Sequence, residues 1–383
     1  MSRTIPLSVP VIKGNEWKYV KECLDSGWVS SVGSFVTRFE DMIARYAGCR
    51  HAVATTNGTS ALHVSLVACG IRSGDEVIVP SLTFIATANV VRYCNAEPVF
   101  MDCDKDTLCI DTGKLREFLQ NSTYTENSIT INKKTGRPIR AVVPVHLFGH
   151  PSDMDSLLEL SDKHNIIIIE DATESLGSLY RERQTGSFGK AGCFSFNGNK
   201  LITTGGGGMV VTDDTELAEK IRHLTTQARR DAVEYDHDAV GYNYRLTNIQ
   251  AALGVAQLEQ IDDFISIKRK TTEMYHALLS GTKEVEVLRE RGPVTSNCWY
   301  VTLKMPQDHR ERLMEHLMSG GIQVRPVWKP LHSLPVYKDC HAYKISNAGE
   351  AHASCINLPC SVNISEEDIR YVAENITGYF RGL

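Results

Sequence analysis

Short apolar segments alternate with amphipathic segments over the first 250 residues of the chain. The apolar segments are predicted strands at residues 76–80, 98–102, 139–145, 166–171, 193–196 and 208–212. Helices are predicted at residues 17–26, 60–69 and 83–93. Buried parallel strands read as continuous apolar runs, and strands that alternate with helices form parallel sheets covered on both faces. The pattern therefore predicts an α/β fold with a mostly parallel sheet between two layers of helices.

The pattern changes after Tyr244. Residues 247–271 predict one long helix or a bent pair, and weaker strand and helix segments follow at residues 299–304, 311–318 and 366–378. A chain of 383 residues is long enough for two domains of ordinary size. We therefore predict a large α/β domain over residues 1–254 and a smaller α+β domain over residues 255–383. The polar segment 121–138, with the turn NKKTG, predicts a surface hairpin.

Charge and cysteine usage argue against several classes of protein. The chain carries 41 Lys and Arg against 46 Asp and Glu, a net charge of −5, so no basic surface is expected to hold nucleic acid. The apolar runs are far shorter than the roughly 20 residues of a membrane helix. The first ten residues lack a signal-peptide core, and the eleven cysteines form no CxxC pair. We expect a cytoplasmic protein without a membrane segment, disulfide framework or metal site.

Two charged residues stand out at the ends of predicted buried strands. Asp171 ends the run NIIIIED, where it either caps the next helix or needs a cationic partner. Lys200 lies in CFSFNGNKLITTGGGG, between two apolar strands. It is either a solvated loop lysine or an amine that is partly desolvated, which would favour its neutral, nucleophilic form. The four glycines at 205–208 would allow a bulky ligand to approach the backbone closely, although they match no nucleotide-binding loop.

A third feature is the turn Asn57-Gly58-Thr59-Ser60, which opens a predicted helix. Free backbone N–H groups and hydroxyls at a helix N-terminus form an anion site suited to one phosphate. The alternative is a simple Ser or Thr N-cap. Phe84, just after the strand EVIVP, could cover an aromatic ring or belong to the core. A phosphate site, a carboxylate and a nucleophilic lysine are together what pyridoxal 5′-phosphate requires.

With these residues in place, the chain resembles the DegT/DnrJ/StrS sugar aminotransferases, a family of fold-type-I pyridoxal-phosphate enzymes. The resemblance extends from near residue 5 to the C-terminal tail. It is carried by NGTSALHVSL, DEVIVPSLTFIATAN, PVHLFGHPSDMD, IIIEDATESLGS, TGSFGKAGCFSFNGNK, TTGGGGMVVTDD and GYNYRLTNIQAALGVAQLEQ. It implies a large, mostly parallel sheet domain sandwiched by helices, plus a smaller α+β C-terminal domain.

Within that family the chain is most similar to the aminotransferases of legionaminic acid synthesis. This likeness rests on IPLSVPVIKGNEWKYVKECLDSGWVSSVG, INKKTGRP and HLTTQARRDAVEYDHDAVGYNYRLTN. It implies transfer of the amino group of glutamate to C4 of a nucleotide-linked 4-keto-6-deoxy-N-acetylhexosamine, giving a UDP-4-amino-4,6-dideoxy-GlcNAc type product. The alternatives are a GDP-linked or 3-keto sugar, a cyclitol ketone, a lyase, a sugar 3-dehydratase, or a non-catalytic binding protein of the same fold. A dehydratase would carry histidine in place of Lys200.

The resemblance also implies residue roles around the cofactor ring. Lys200 would hold pyridoxal 5′-phosphate as a Schiff base, and Asp171 would pair with the ring nitrogen. Glu174, where many relatives have glutamine, would hydrogen-bond the ring hydroxyl. Phe84 would stack on the ring.

Further roles concern the phosphate, the partner subunit and the substrate. Gly58, Thr59 and Ser195 would bind the phosphate. Asn243 would reach the phosphate in the neighbouring subunit, so the resemblance implies a homodimer with shared active sites. Arg245 and His332 are candidates for contacts with the sugar nucleotide or the glutamate carboxylate.

Overall fold

The structure is a computed structural model that describes residues 3–231 and 233–382. The strands are β1 (His51–Thr55), β2 (Glu76–Pro80), β3 (Glu97–Met101), β4 (Thr123–Glu126), β5 (Ile129–Asn132), β6 (Pro138–Val142), β7 (Ile167–Asp171), β8 (Leu179–Tyr180), β9 (Arg183–Gln184), β10 (Ala191–Ser195), β11 (Gly208–Thr212), β12 (Glu286–Val287), β13 (Val294–Thr295), β14 (Val301–Lys304), β15 (Arg325–Pro326), β16 (Ala342–Tyr343) and β17 (Cys355–Leu358). The α-helices are α1 (Glu16–Ser26), α2 (Ser34–Ala47), α3 (Gly58–Ala68), α4 (Ala86–Tyr93), α5 (Thr112–Asn121), α6 (Met154–His164), α7 (Thr215–Thr225), α8 (Asn248–Leu258), α9 (Ile261–Leu279), α10 (Arg310–Ser319), α11 (Asn347–Ser354) and α12 (Glu366–Arg381).

A ten-stranded mixed sheet organises the first part of the chain. Its main path runs β1-β11-β10-β7-β6-β2-β3-β16, and the β4–β5 hairpin joins it at the side of β6. Every pair from β10 through to β16 is parallel, whereas β11 is antiparallel to both of its neighbours. The predicted α/β architecture with a mostly parallel sheet is confirmed. The predicted hairpin is confirmed as well: the turn NKKTG joins β5 to β6, and β4 adds a further antiparallel strand to β5.

Both faces of this sheet are buried, which explains the continuous apolar strands. In β11, Met209 and Val211 pack into one core with residues of α2 and α8, whereas Val210 packs into another with residues of α3 and α7. Successive side chains of a strand point to opposite faces, so one strand must supply apolar residues to both.

A separate core forms around the C-terminal part of the chain. The antiparallel sheet β12-β14-β17-β15 packs against α10, α12 and the end of α9, where Tyr275 and Leu279 are buried. Helix α8 instead packs into the core of the large sheet, together with Phe264 in the first turn of α9. The C-terminal part also supplies β16, which pairs with β3. The division near residue 255 remains a prediction.

Several element ends differ from the sequence-based boundaries. The predicted helix at 83–93 begins at Ala86. The regular part of the strand at 139–145 ends at Val142; Pro144, which has no N–H to donate, interrupts the ladder, and Val145 forms one further parallel bridge with Asp171. The long helical segment is a bent pair, interrupted at residues 259–260. None of the helices within the described ranges is both long enough and apolar enough to cross a membrane.

Candidate active site

The first turn of α3 forms one end of the site. Asn57 is the N-cap, and its side-chain oxygen accepts a 2.8 Å hydrogen bond from the N–H of Ser60. The hydroxyls of Thr59 and Ser60 are therefore not needed as caps. Gly58 lies so close to the end of β10 that an added Cβ would be 2.8 Å from Cβ of Ser195. The first N–H groups of a helix have no partner within the helix, so this turn is suited to binding an anion beside Ser195.

Within the glycine run 205–208, Gly207 and Gly208 pack against other parts of the chain, and Gly208 packs against this turn. An added Cβ at Gly208 would lie 2.4 Å from the carbonyl carbon of Asn57, and one at Gly207 would lie 2.2 Å from Oγ1 of Thr204. None of the four glycines lines the cavity described below. The expectation that these glycines admit a ligand is therefore corrected: at 207 and 208 they admit other parts of the chain, which lets β11 begin directly against the start of α3.

Asp171 ends β7 at the same edge of the sheet and is almost completely buried. Its Oδ2 accepts a 2.7 Å hydrogen bond from the hydroxyl of Thr87, and its Oδ1 accepts a longer one, 3.2 Å, from the N–H of Thr173. A turn rather than a helix follows β7, so Asp171 does not cap a helix. Its position in the cavity matches that expected for a carboxylate with a ligand partner.

Lys200 lies opposite, with its side chain only 13% exposed. Its Nζ is 3.6 Å from Oε1 of Glu174 and 4.0 Å from the centroid of a ring of Trp299. Burial raises the pKa of Glu174 to about 7; the charge of Asp171 acts in the same direction, whereas Lys200 and the N–H of Phe148 lower it. Lys200 is therefore not a solvated loop lysine, and Glu174 can exchange a proton near neutral pH.

These groups line one cavity of about 300 Å³. The predicted site residues that it brings together are Gly58, Thr59, Phe84, Asp171, Glu174, Ser195 and Lys200. Phe84 is exposed and packs beside Trp328, with ring centroids 5.4 Å apart, so it does not belong to the core. Sequence reasoning missed Thr87, Trp299 and Trp328, which also line the cavity. Both tryptophans lie in the C-terminal part of the chain. Trp299 lies two residues before β14 and Trp328 two residues before Pro330, and neither position by itself indicates a cavity residue.

Three predicted site residues lie outside this cavity. Asn243 is exposed in the loop before α8. Arg245 forms a 2.7 Å ion pair with Glu40, which occupies its guanidinium within the chain. His332 bonds through Nδ1 to the hydroxyl of Ser81 at 2.7 Å. Their roles remain predictions, and the partners of Arg245 and His332 show that both side chains also hold parts of the chain together.

The cavity fits pyridoxal 5′-phosphate in its donor chemistry. The crowding at Gly58 leaves no room for a side chain where the helix N–H groups meet Ser195, as close approach of a phosphate requires. The buried carboxylate of Asp171 can pair with a protonated ring nitrogen, and Lys200 supplies the amine. Exposed Phe84 can cover a ring.

Comparisons with known proteins agree with this chemistry. Residues 10–377 match the family model described as the DegT/DnrJ/EryC1/StrS aminotransferase family. A GDP-perosamine synthase of Escherichia coli O157:H7 is 40% identical over 377 residues, covering 98% of each chain. The structure of PseC from Helicobacter pylori, described as an aminotransferase of pseudoaminic acid biosynthesis, is 26% identical, with a TM-score of 0.90 and 100% of both chains covered. The PLP form of a sugar aminotransferase of Streptococcus pneumoniae shares the fold at 24% identity, with a TM-score of 0.90 and 99% of each chain covered.

Proposed function

The chain belongs to the DegT/DnrJ/EryC1/StrS aminotransferase family of pyridoxal-phosphate enzymes, and we propose that it transfers the amino group of glutamate to C4 of a UDP-linked 4-keto-6-deoxy-N-acetylhexosamine. The observation that carries the aminotransferase chemistry is the convergence of Lys200, Asp171 and the start of α3 on one cavity. The finer choice of substrate rests on the resemblance of the N-terminal segment and of the hairpin to legionaminic acid aminotransferases.

The bound cofactor supplies an electron sink for the carbon next to the reacting amine. With the cofactor bound, Lys200 Nζ would hold its aldehyde and, once displaced by the incoming amine, would take the proton from Cα of glutamate as a general base. The same amine would deliver that proton to the former aldehyde carbon rather than back to Cα, so that the amino group stays on the cofactor. The same amine therefore serves the second half-reaction, in which the order of proton transfers is reversed for the sugar.

Asp171 and Glu174 have different tasks because their surroundings differ. Asp171 is held by Thr87 and Thr173 and keeps a proton on the ring nitrogen by pairing with it in a buried site, where an ion pair is stronger than in water. Glu174, with its pKa raised to about 7 by burial, lies beside Lys200 and can share a proton with the ring hydroxyl or with Nζ.

We place the second subunit at Asn243. The residue is exposed and lies outside the cavity of its own chain, and the neighbouring Tyr242 and Tyr244 stack with ring centroids 4.9 Å apart. Aromatic residues are enriched at protein interfaces. These features support a homodimer in which Asn243 reaches the phosphate of the partner's cofactor.

A GDP-linked 4-keto sugar is the second candidate. The observation that favours it is the 40% identity, over nearly the whole chain, to a relative named for a GDP-linked amino sugar. Both candidates share the reaction at C4 and differ in the nucleotide and in the N-acetyl group of the sugar.

The test is amination of matched substrates. Purified protein with bound cofactor is incubated with ¹⁵N-labelled glutamate and either the UDP-linked N-acetyl 4-keto sugar or a GDP-linked 4-keto-6-deoxyhexose, and the products are analysed by mass spectrometry and NMR. We expect the label at C4 of the UDP sugar, and none with the Lys200→Ala variant. Label only in the GDP sugar would select the second candidate. No labelled sugar from either would contradict the proposed function.

A further inference from the structure

Trp299 connects the C-terminal part of the chain to the loop that carries Lys200. It lies two residues before β14 and is almost fully buried. One of its rings is 4.0 Å from Lys200 Nζ, and its Nε1 donates a 2.8 Å hydrogen bond to the carbonyl oxygen of Asn199. The indole thus contacts Lys200 with a ring face and Asn199 with its only hydrogen-bond donor.

Side chains hydrogen-bond both the backbone N–H and the backbone carbonyl oxygen of Trp299. Its N–H donates to Oδ1 of Asn297 at 2.9 Å, while Nδ2 of Asn297 donates to the carbonyl oxygen of Glu174 at 3.0 Å. Its carbonyl oxygen accepts a 2.8 Å hydrogen bond from Nζ of Lys268. Asn297 is completely buried, so these bonds are shielded from water.

Lys268 is unusual because it is a lysine with only 2% exposure. Buried lysines are normally paired with an acid. Within residues 3–231 and 233–382, however, no carboxylate lies within 4.0 Å of Lys268 Nζ, and its neighbours are the Trp299 carbonyl and Sγ of Cys360 at 3.5 Å. The charge is therefore directed at the backbone of Trp299, where a bond from a charged donor is stronger than one between neutral groups.

We propose that Trp299 is a positioning residue for Lys200: its Nε1 fixes the lysine loop through Asn199, its ring limits where Nζ can move, and Lys268 holds Trp299 in place. This inference rests on the proposed function, because it concerns how the amine is presented to the cofactor. A tryptophan that only filled the core would not need its donor and its ring face on two successive residues of the active-site loop.

The sharpest variant is Trp299→Phe, which keeps an aromatic face beside Lys200 and removes only the Nε1–H donor and part of the ring. With the Asn199 carbonyl released, Nζ points toward the cofactor for a smaller fraction of the time. We expect Schiff-base formation, followed by absorbance after pyridoxal 5′-phosphate is added to the apoprotein, to slow by about threefold to tenfold. The dissociation constant of pyridoxine 5′-phosphate, which lacks the aldehyde, should change by less than the rate of Schiff-base formation, because phenylalanine keeps an aromatic face toward the cavity and the lost Nε1–H bonds Asn199.

A second variant keeps the test decisive if Trp299→Phe disturbs the fold. Lys268→Met preserves the length and packing of the side chain while removing its ammonium, and it should slow Schiff-base formation in the same direction. The matched controls are Lys270→Met, an exposed lysine two residues later on α9, and Trp17→Phe, an indole that is 79% exposed on α1. Both controls should form the Schiff base at the unmodified rate.

Two results would overturn the inference. One is unmodified Schiff-base rates in both Trp299→Phe and Lys268→Met; the other is a loss of pyridoxine 5′-phosphate affinity as large as the loss of rate, which would indicate a general structural role. If the unmodified protein forms no Schiff base on Lys200, the proposed function fails as well. Schiff-base formation in the unmodified protein therefore shows whether the proposed function fails or only the role of Trp299.

Discussion

The hydroxyl of Thr87 donates a 2.7 Å hydrogen bond to Oδ2 of Asp171. Thr87 lies in the first turn of α4, and Asp171 lies at the end of β7, 84 residues later. A hydroxyl fixes the orientation of a carboxylate without neutralising its charge, so Asp171 remains available as an anion to a cationic ring nitrogen. This pairing explains how a buried acid that has no ion-pair partner among residues 3–231 and 233–382 can be retained at the base of the cavity.

Asp171→Asn should lower amine transfer by at least about a hundredfold, equivalent to roughly 3 kcal/mol. The amide can still accept the hydrogen bond from Thr87, but it lacks the charge that keeps the ring nitrogen protonated. The measurement is kcat for transfer from glutamate, with circular dichroism to confirm the fold. A loss below about tenfold would mean that the charge of Asp171 has little part in catalysis.

Glu174 predicts a pH dependence of stability in the apoprotein. Burial raises its pKa from 4.5 to about 7, so the folded state binds the proton more tightly than the unfolded state. The contribution of Glu174 to the free energy of unfolding should therefore fall as the pH rises from about 4.5 to 7, and then level off. Glu174→Gln cannot ionise and should be more stable than the unmodified apoprotein at pH 8, by up to about 3 kcal/mol, but not at pH 4.5. Urea unfolding at several pH values tests this; a stability difference that does not change with pH would contradict it.

Gly58→Ala tests the crowded phosphate turn. The new Cβ would lie 2.8 Å from Cβ of Ser195 and 3.0 Å from Cγ2 of Thr173, so one of these contacts must move. We expect a loss of about 1–3 kcal/mol in stability and weaker cofactor binding. Gly378→Ala is the matched control, because Gly378 lies inside α12 with no atom within 4 Å of an added Cβ. That variant should leave cofactor affinity unchanged and gain up to about 1 kcal/mol in stability.

Shared active sites predict complementation between two inactive proteins. Lys200→Ala removes the amine from its own site, and Asn243→Asp places a negative charge beside the partner's phosphate. When the two variants are mixed and re-paired, one site of each heterodimer has both an intact lysine and an intact partner asparagine. Activity should rise well above that of either variant alone. Re-paired heterodimers that stay inactive, or an enzyme that is active as a monomer at assay concentration, would argue against the shared site.

The sequence could place Asp171 and Ser195 near each other. Asp171 ends one predicted apolar strand, and Ser195 is next to the last residue of another. Parallel strands that neighbour each other end at one edge of the sheet; in the structure β7 and β10 are such neighbours, with Asp171 opposite Cys193. The helix opened by Gly58 was likewise predictable from its turn and its apolar continuation. These features depend on local patterns and on a regular sheet, which short stretches of sequence encode directly.

Other parts of the site depend on contacts between distant segments. Trp299 meets the lysine loop across about 100 residues, and Arg245 is paired with Glu40 across 205. No periodicity in either segment encodes such a contact. The contact of Trp299 is set by how the C-terminal core packs on the large sheet, and that of Arg245 by how the loop before α8 lies beside α2 and β1. The glycines at 207 and 208 illustrate the same limit: the sequence indicated a close approach, but the approaching group is Asn57 or Thr204 rather than a ligand.

The most direct test of the account is to locate the covalent bond between cofactor and protein. The holoprotein is reduced with borohydride, digested, and the modified lysine is identified by mass spectrometry. We predict the cofactor on Lys200, with no label on the buried Lys268, and loss of the label when glutamate is added before reduction. A cofactor bound to any other lysine, or amine transfer that continues in Lys200→Ala, would contradict it.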